Sequence, residues 1–275
     1  MALPEALFLP LRRGRRFCIR YAARDGAERR GSMLYVHPFA EEMNKSRRMA
    51  ALQARALAQA GWTVLQLDLF GCGDSDGEFG DASWEQWISD IVETSAWLGE
   101  QGLRVTCLWG LRVGCLLARQ AAERISPAPD LVLWQPALSG KQSLQQFLRL
   151  RVTSQILGEA AANREGVRQL RERMIGGETL EVAGYRLSPE LALGLEAAEL
   201  TAPAAPTRAA WLEVAASPPA EVSPAAKARI DGWREAGRRV DAAAVVGAAF
   251  WQTQEIAECA ALLEATVAAA EALKR

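Results

Sequence analysis

The chain has 275 residues, enough for one α/β domain with a sizeable core and an insertion. Its 33 acidic residues balance 32 basic ones for a net charge of −1, which excludes the basic excess of a nucleic-acid binder. A single histidine, His37, excludes a histidine-rich metal site and leaves any Ser–His–Asp triad one candidate base.

Residues 6–9 and 16–22 read as strands of an antiparallel entry hairpin around residues 12–15. Residues 33–36 form a short apolar strand that ends in His37-Pro38-Phe39. Ser46 is placed to cap a helix through Ala60, with Met49, Leu52, Ala56 and Leu57 on one face and Gly61 as its stop. Residues 62–69 are the next strand. Ser83 opens a helix with Gln86 as its capping-box partner, and Trp84, Trp87, Ile88, Ile91, Ser95 and Leu98 share one stripe, which assigns both tryptophans to the core.

Residues 105–109 suit a buried parallel strand. Gly110-Leu111-Arg112-Val113-Gly114 then makes a tight turn into a helix over residues 115–122. Asp130–Trp134 is another buried strand. From residue 139 to 200 the strand signal disappears in a segment rich in Arg, Gln, Leu and Glu, with Gly158, Gly166, Gly176 and Gly177, which predicts a helical cap over the carboxyl ends of the strands. Residues 201–206 make a stiff connector. A strand over 208–214, a helix from Pro224, a strand over Arg239–Val246 and an amphipathic helix over 254–273 complete the chain. Alternating strands and helices predict an α/β fold with a mostly parallel sheet covered on both faces. The expected organisation is a core in two parts, residues 1–138 and 201–275, around a cap of residues 139–200.

Five stretches carry a resemblance: residues 37–48 (HPFAEEMNKSRR), 68–75 (DLFGCGDS), 109–114 (WGLRVG), 184–191 (GYRLSPEL) and 250–255 (FWQTQE). With them the chain resembles the α/β-hydrolases, and more narrowly the exosortase A system-associated hydrolases of the second type. The resemblance implies an α/β-hydrolase fold, a gene beside exosortase A and exopolysaccharide genes of Gram-negative bacteria, and a partner in the exosortase system. His37-Pro38 resembles the His-Gly opening of the oxyanion loop; Pro38 has no N–H, so Phe39 or Ala40 would be the donor. The elbow motif G-x-S-x-G is matched except at its centre, where Arg112 replaces the serine. A guanidinium is always protonated and cannot attack a carbonyl. The acid should follow the strand at 208–214, where Glu213 or Glu221 serves only loosely. The base should lie in residues 247–253, which contain no histidine.

Other chemistry stays open at this point. Cys72 and His37 are a thinkable thiol–imidazole pair, weighed against a free thiol in a packed loop; Cys115 should face the core. Glu41 or Glu42 could act as a general base on water, or simply pair with Arg112 or Arg47. His37 either orients the neighbouring loop or touches ligand. Arg112 needs an anion beside it, supplied internally by Glu41, Glu42, Glu78 or Glu213, or by a ligand. Arg149, Arg151, Arg164, Arg168, Arg171 and Arg173 read as a solvated face, or as contacts to an acidic membrane surface or a partner.

Two functions follow. In the first the protein is a non-catalytic hydrolase relative that binds an anionic or acyl small molecule or an exosortase-system protein, with His37, Phe39, Glu42, Arg112, Val113, Trp251 and Gln252 as ligand-binding residues. In the second it is an enzyme with a non-standard site of His37, Glu41 or Glu42, and Arg112. Neither requires a cofactor or a metal. Five cysteines without a C-x-x-C pair, an N-terminal stretch without the order of a signal peptide, and no apolar run of transmembrane length predict a cytoplasmic protein.

Overall fold

Strands that are apolar at every position must be covered on both faces, and the sheet is arranged that way. In the computed structural model, which describes residues 3–157, 165–205 and 207–273, eight strands lie in the order β1 (Glu5–Leu11), β2 (Gly14–Tyr21), β4 (Trp62–Leu67), β3 (Gly31–Val36), β5 (Val105–Leu111), β6 (Asp130–Trp134), β9 (Arg208–Ala215) and β10 (Arg239–Val246). β1–β2 and β2–β4 pair antiparallel, so the entry hairpin forms as expected; the remaining pairs are parallel. Gly158, Arg164 and Pro206 lie outside the described residues.

Alternate residues of each central strand feed two cores. Leu34, Leu65, Leu108, Leu131 and Trp211 face α2 (Trp84–Glu100), α3 (Gly114–Ala122) and α7 (Pro224–Glu235). Met33, Val64, Trp109, Val132 and Leu212 face α1 (Glu41–Gln59) and α8 (Ala260–Ala272). The period of two that sends neighbours to opposite faces is the property of a strand. Trp84 and Trp87 are buried, as their stripe predicts. Trp134 Nε1 donates to Thr266 Oγ1 at 2.8 Å, whereas the buried ring nitrogens of Trp62 and Trp109 meet no acceptor among the described residues.

A fully buried ion pair ties β2 to α2. Arg16 Nε and Nη2 donate to the two carboxylate oxygens of Asp90 at 2.8 and 2.9 Å, with neither side chain exposed. Asp90 also accepts the Phe70 N–H (2.8 Å) and Gln86 Nε2 (2.7 Å), and the Arg16 guanidinium lies 4.9 Å from the Phe70 ring centre. This network corrects the expected capping box. Ser83 does cap α2, through the Gln86 N–H at 3.1 Å, but the Gln86 side chain is committed to Asp90 and Arg13.

Three further boundaries differ from expectation. α1 begins at Glu41, not Ser46. Ala40 adopts φ 50°, ψ −126°, and the Glu42 N–H closes the turn on Phe39 O at 3.2 Å, so the helix starts directly behind β3; Ser46 lies buried inside it. The last helix begins at Ala260, not Gln254. Cys259, whose N–H donates to Met49 Sδ at 3.3 Å, holds an extended conformation just before it. Between β6 and β9 the chain forms α4 (Gly140–Leu157), α5 (Val167–Ile175) and α6 (Pro189–Ala197), but also a hairpin of β7 (Leu180–Val182) and β8 (Tyr185–Leu187) where no strand is expected. Its two-residue turn, Ala183-Gly184, has φ 51° and 83°, the left-handed pair of a type I′ turn. Among the described residues no helix is long and apolar enough to cross a membrane.

Candidate functional site

The sharp turn from β5 to α3 forms at the carboxyl edge of the sheet. Arg112 at its apex has φ 55°, a left-handed conformation uncommon for a side-chain-bearing residue. Its N–H donates to Trp134 O at 3.0 Å, and its carbonyl accepts the N–H groups of Cys115 and Ala137, both at 3.1 Å. The flanking glycines are sterically required. A Cβ on Gly110 would stand 2.7 Å from Cys115 Cα, and one on Gly114 would stand 2.3 Å from Val36 O and 2.6 Å from His37 O. Strand and helix therefore meet in close backbone contact, with the Arg112 guanidinium carried at the apex of the turn between them.

Arg112 points into a cavity of about 230 Å³. Phe39, Glu42, Val113, Trp251 and Gln252 line it with Arg112, as does Glu41. Arg112 Nε donates to Glu42 Oε1 at 3.3 Å, and its guanidinium carbon lies 5.8 Å from the Trp251 ring centre. Both partners of the ion pair are about a fifth exposed, and neither Nη group hydrogen-bonds a described residue. Burial raises the pKa of Glu42, and the neighbouring Arg112 opposes that rise. The backbone N–H of Val113, directly after the apex, makes no hydrogen bond among the described residues, nor do those of Phe39 and Ala40. The cavity thus combines two free guanidinium nitrogens, a free backbone donor and aromatic walls.

His37 stands apart from this cavity. Its Nδ1 lies 2.8 Å from Pro38 O and its Nε2 accepts the Leu69 N–H at 3.3 Å, a pattern that fits the neutral Nδ1–H tautomer. The ring is buried, and desolvation lowers its pKa. With both nitrogens engaged, His37 orients the loops after β3 and β4 and has no lone pair left for a substrate. The Cys72–His37 pair also loses its chemistry: burial pushes the Cys72 thiol far above its ordinary range, and the Cys115 thiol likewise.

The other carboxylates are engaged elsewhere. Glu213 accepts from Trp211 Nε1 (3.2 Å), the Ser223 N–H (2.7 Å) and Ser223 Oγ (3.3 Å), tying the end of β9 to the start of α7. Glu221 pairs with Lys227 at 3.1 Å and Glu41 with Lys45 at 4.0 Å. Glu78 does not line the cavity. Of these candidates Glu42 alone reaches Arg112, through a single nitrogen. Among the described residues no group of three His, Cys, Asp or Glu side chains could hold a metal.

One wall was absent from the sequence reading. Ser143, Gln146, Phe147 and Leu150 of α4 close the cavity from above, and Phe147 stacks edge-on against Phe39 at 5.1 Å. Their spacing of three, four and seven residues is the stripe of one helix face, a signal available in the sequence. Of the insertion's arginines, Arg171 pairs with Glu196, Arg173 with Glu165 and Glu178, and Arg168 with Glu172.

Residues 27–192 match the family model described as serine aminopeptidase, S33. No curated protein matches the chain in sequence. Among solved structures, Est1E from Butyrivibrio proteoclasticus with ferulic acid bound is similar over 97% of each chain, at 16% identity and a TM-score of 0.68. Proline iminopeptidase from Mycobacterium smegmatis is similar over 98% of this chain and 97% of its own, at 15% identity and a TM-score of 0.58. Mouse α/β hydrolase domain-containing protein 10 is similar over 98% of each chain, at 13% identity and a TM-score of 0.56. At these identities the likeness is one of fold.

Proposed function

Because the chain belongs to the serine aminopeptidase S33 family of α/β-hydrolases by the match over residues 27–192, we propose that it retains the hydrolase scaffold as a binding protein. Its degenerate elbow holds an anionic or acyl small molecule in place of a covalent intermediate. The observation that carries this reading is Arg112 itself: an apex guanidinium with two free nitrogens, facing a cavity. A carboxylate meets such a fork with two parallel hydrogen bonds, and the free Val113 N–H lies beside it. Phe39, Phe147, Leu150 and Trp251 receive the apolar part of the ligand. The residues at 139–200 act as the cap over this site. In keeping with the resemblance in its motifs, we place the protein in the cytoplasm, serving an exosortase A and exopolysaccharide system.

Triad chemistry lacks two of its three parts. Arg112 cannot serve as nucleophile, and Trp251 occupies the loop that should supply the base. The protein should therefore resist a fluorophosphonate probe and leave p-nitrophenyl esters intact. Its melting temperature should rise with decanoate, and Arg112→Ala should abolish that rise. Labelling would overturn this reading in favour of a serine hydrolase, and ester turnover that Glu42→Gln abolishes would replace it with the enzyme built on Glu42 and Arg112.

A further inference from the structure

At the amino edge of the same sheet, opposite the Arg112 cavity, the starts of β3, β4 and β5 and residues 22–27 and 29 enclose a second groove of about 500 Å³. That volume falls in the range of small-molecule sites, roughly 300–1,000 Å³. Its charge is one-sided: Arg20, Arg24, Arg29 and Arg104 line it against Asp25 alone. Arg20 is paired with Glu5. Arg24, Arg29 and Arg104 have no carboxylate within ion-pair distance among the described residues. Among the described residues, arginines without an ion-pair partner occur elsewhere too, such as Arg13 and Arg55, but here three of them line one groove. Three guanidinium groups without an ion-pair partner line one concave surface, and an anion held there would offset their mutual repulsion.

We propose that this groove binds the phosphate group of a phosphorylated small molecule. Several guanidinium forks lining one groove suit phosphate, whose oxygens can accept from more than one fork at once, better than a planar carboxylate, which one fork satisfies. Thr63 and Thr106 add hydroxyls to the lining. The Thr106 hydroxyl makes only a long 3.4 Å bond to Ser32 O, so it can turn toward a ligand. Gly26 and Gly102, at positive φ and with open space where a Cβ would stand, leave that part of the lining free of side chains. The groove shares no lining residue with the Arg112 cavity, so the two sites are independent.

The test is calorimetric titration of the whole protein with inorganic pyrophosphate at low ionic strength. Arg29→Ala, Arg104→Ala and their combination serve as variants, with Arg168→Ala, an exposed arginine that lines neither cavity, as a control. The substituted groove residues are exposed, so circular dichroism should show unchanged folding. Wild type and Arg168→Ala should bind alike, and each groove substitution should weaken binding about tenfold or more. Arg104→Lys should restore only part of the loss, because an ammonium lacks the planar fork. A parallel sedimentation assay uses phosphatidylcholine vesicles with and without phosphatidic acid. Arginine-dependent capture by the acidic vesicles assigns the phosphate to a lipid headgroup; binding of pyrophosphate without capture assigns it to a free metabolite. Absence of pyrophosphate binding in the wild type, or equal binding by the double variant, overturns the proposal.

Discussion

Asp90→Ala is the substitution whose consequence the structure defines most completely. Asp90 accepts four hydrogen bonds: two from Arg16, one from the Phe70 N–H and one from Gln86 Nε2. Both ionic side chains are fully buried, so water cannot replace the lost carboxylate. The variant leaves an uncompensated guanidinium in the core and two orphaned donors, and breaking such a pair costs about 3–5 kcal/mol. That is a large part of a domain's total of roughly 5–15 kcal/mol. Equilibrium urea unfolding, followed by far-UV circular dichroism and tryptophan fluorescence together, measures it. The double variant Arg16→Met/Asp90→Leu removes both charges and should recover part of the loss, the part owed to the uncompensated guanidinium, while the Phe70 N–H and the Gln86 amide stay without their acceptor. A loss below about 1 kcal/mol for Asp90→Ala, or a double variant as unstable as the single one, would refute the account of this pair as a buried, fully desolvated network.

Gly114→Ala should destabilise by about 1–3 kcal/mol or more, since its Cβ would overlap two backbone carbonyls that cannot rotate away; urea midpoints within error of wild type would contradict the close strand–helix approach. His37 is the only imidazole, so its ring proton resonance in NMR needs no assignment, and its titration midpoint should lie below the ordinary 6.5. Because its folded pKa is lowered, the unfolded chain binds the proton more readily. The His37 contribution to stability is therefore fully present above about pH 6.5 and is lost as pH falls toward the folded value. A midpoint at or above 6.5 would place the ring in contact with solvent or a carboxylate. Glu42→Gln should strengthen decanoate binding, measured by thermal shift, because it removes a carboxylate that competes for Arg112; weaker binding would assign Glu42 to the ligand itself.

The central strands and the elbow were legible because their signals are local and steric. Asp130–Trp134 and Arg239–Val246 are apolar or alternating runs bounded by turn residues, and Gly110 and Gly114 announce a backbone contact. What escaped depends on residues far apart in the chain. Ser46 has the chemistry of a helix cap, yet the helix starts at Glu41 because the Ala40 turn carries the chain directly out of β3. The start of the last helix is delayed by Cys259 meeting Met49, 210 positions away in sequence. Phe39, Glu42, Arg112, Val113, Trp251 and Gln252 line one cavity, while His37 is drawn off by the Leu69 N–H. The β7–β8 hairpin carried a readable signal, alternating apolar residues around Ala183-Gly184, that the glycine-rich helical composition around it obscured.

The left-handed residues at the carboxyl edge bear on how this protein trades rigidity for use. Ala40, Arg112 and Gln135, with φ of 50°, 55° and 39°, follow β3, β5 and β6, three adjacent strands. A side chain in that conformation costs about 1–2 kcal/mol that glycine would avoid. A sequence shaped for durability alone would carry glycine in all three places, so the sheet holds a reserve of unclaimed stability along one rim, of a few kcal/mol in all, roughly. At Ala40 and Gln135 that reserve is open to an engineer. At Arg112 it could be released only by giving up the guanidinium that faces the cavity, so there the gain in stability would come at the cost of that charge.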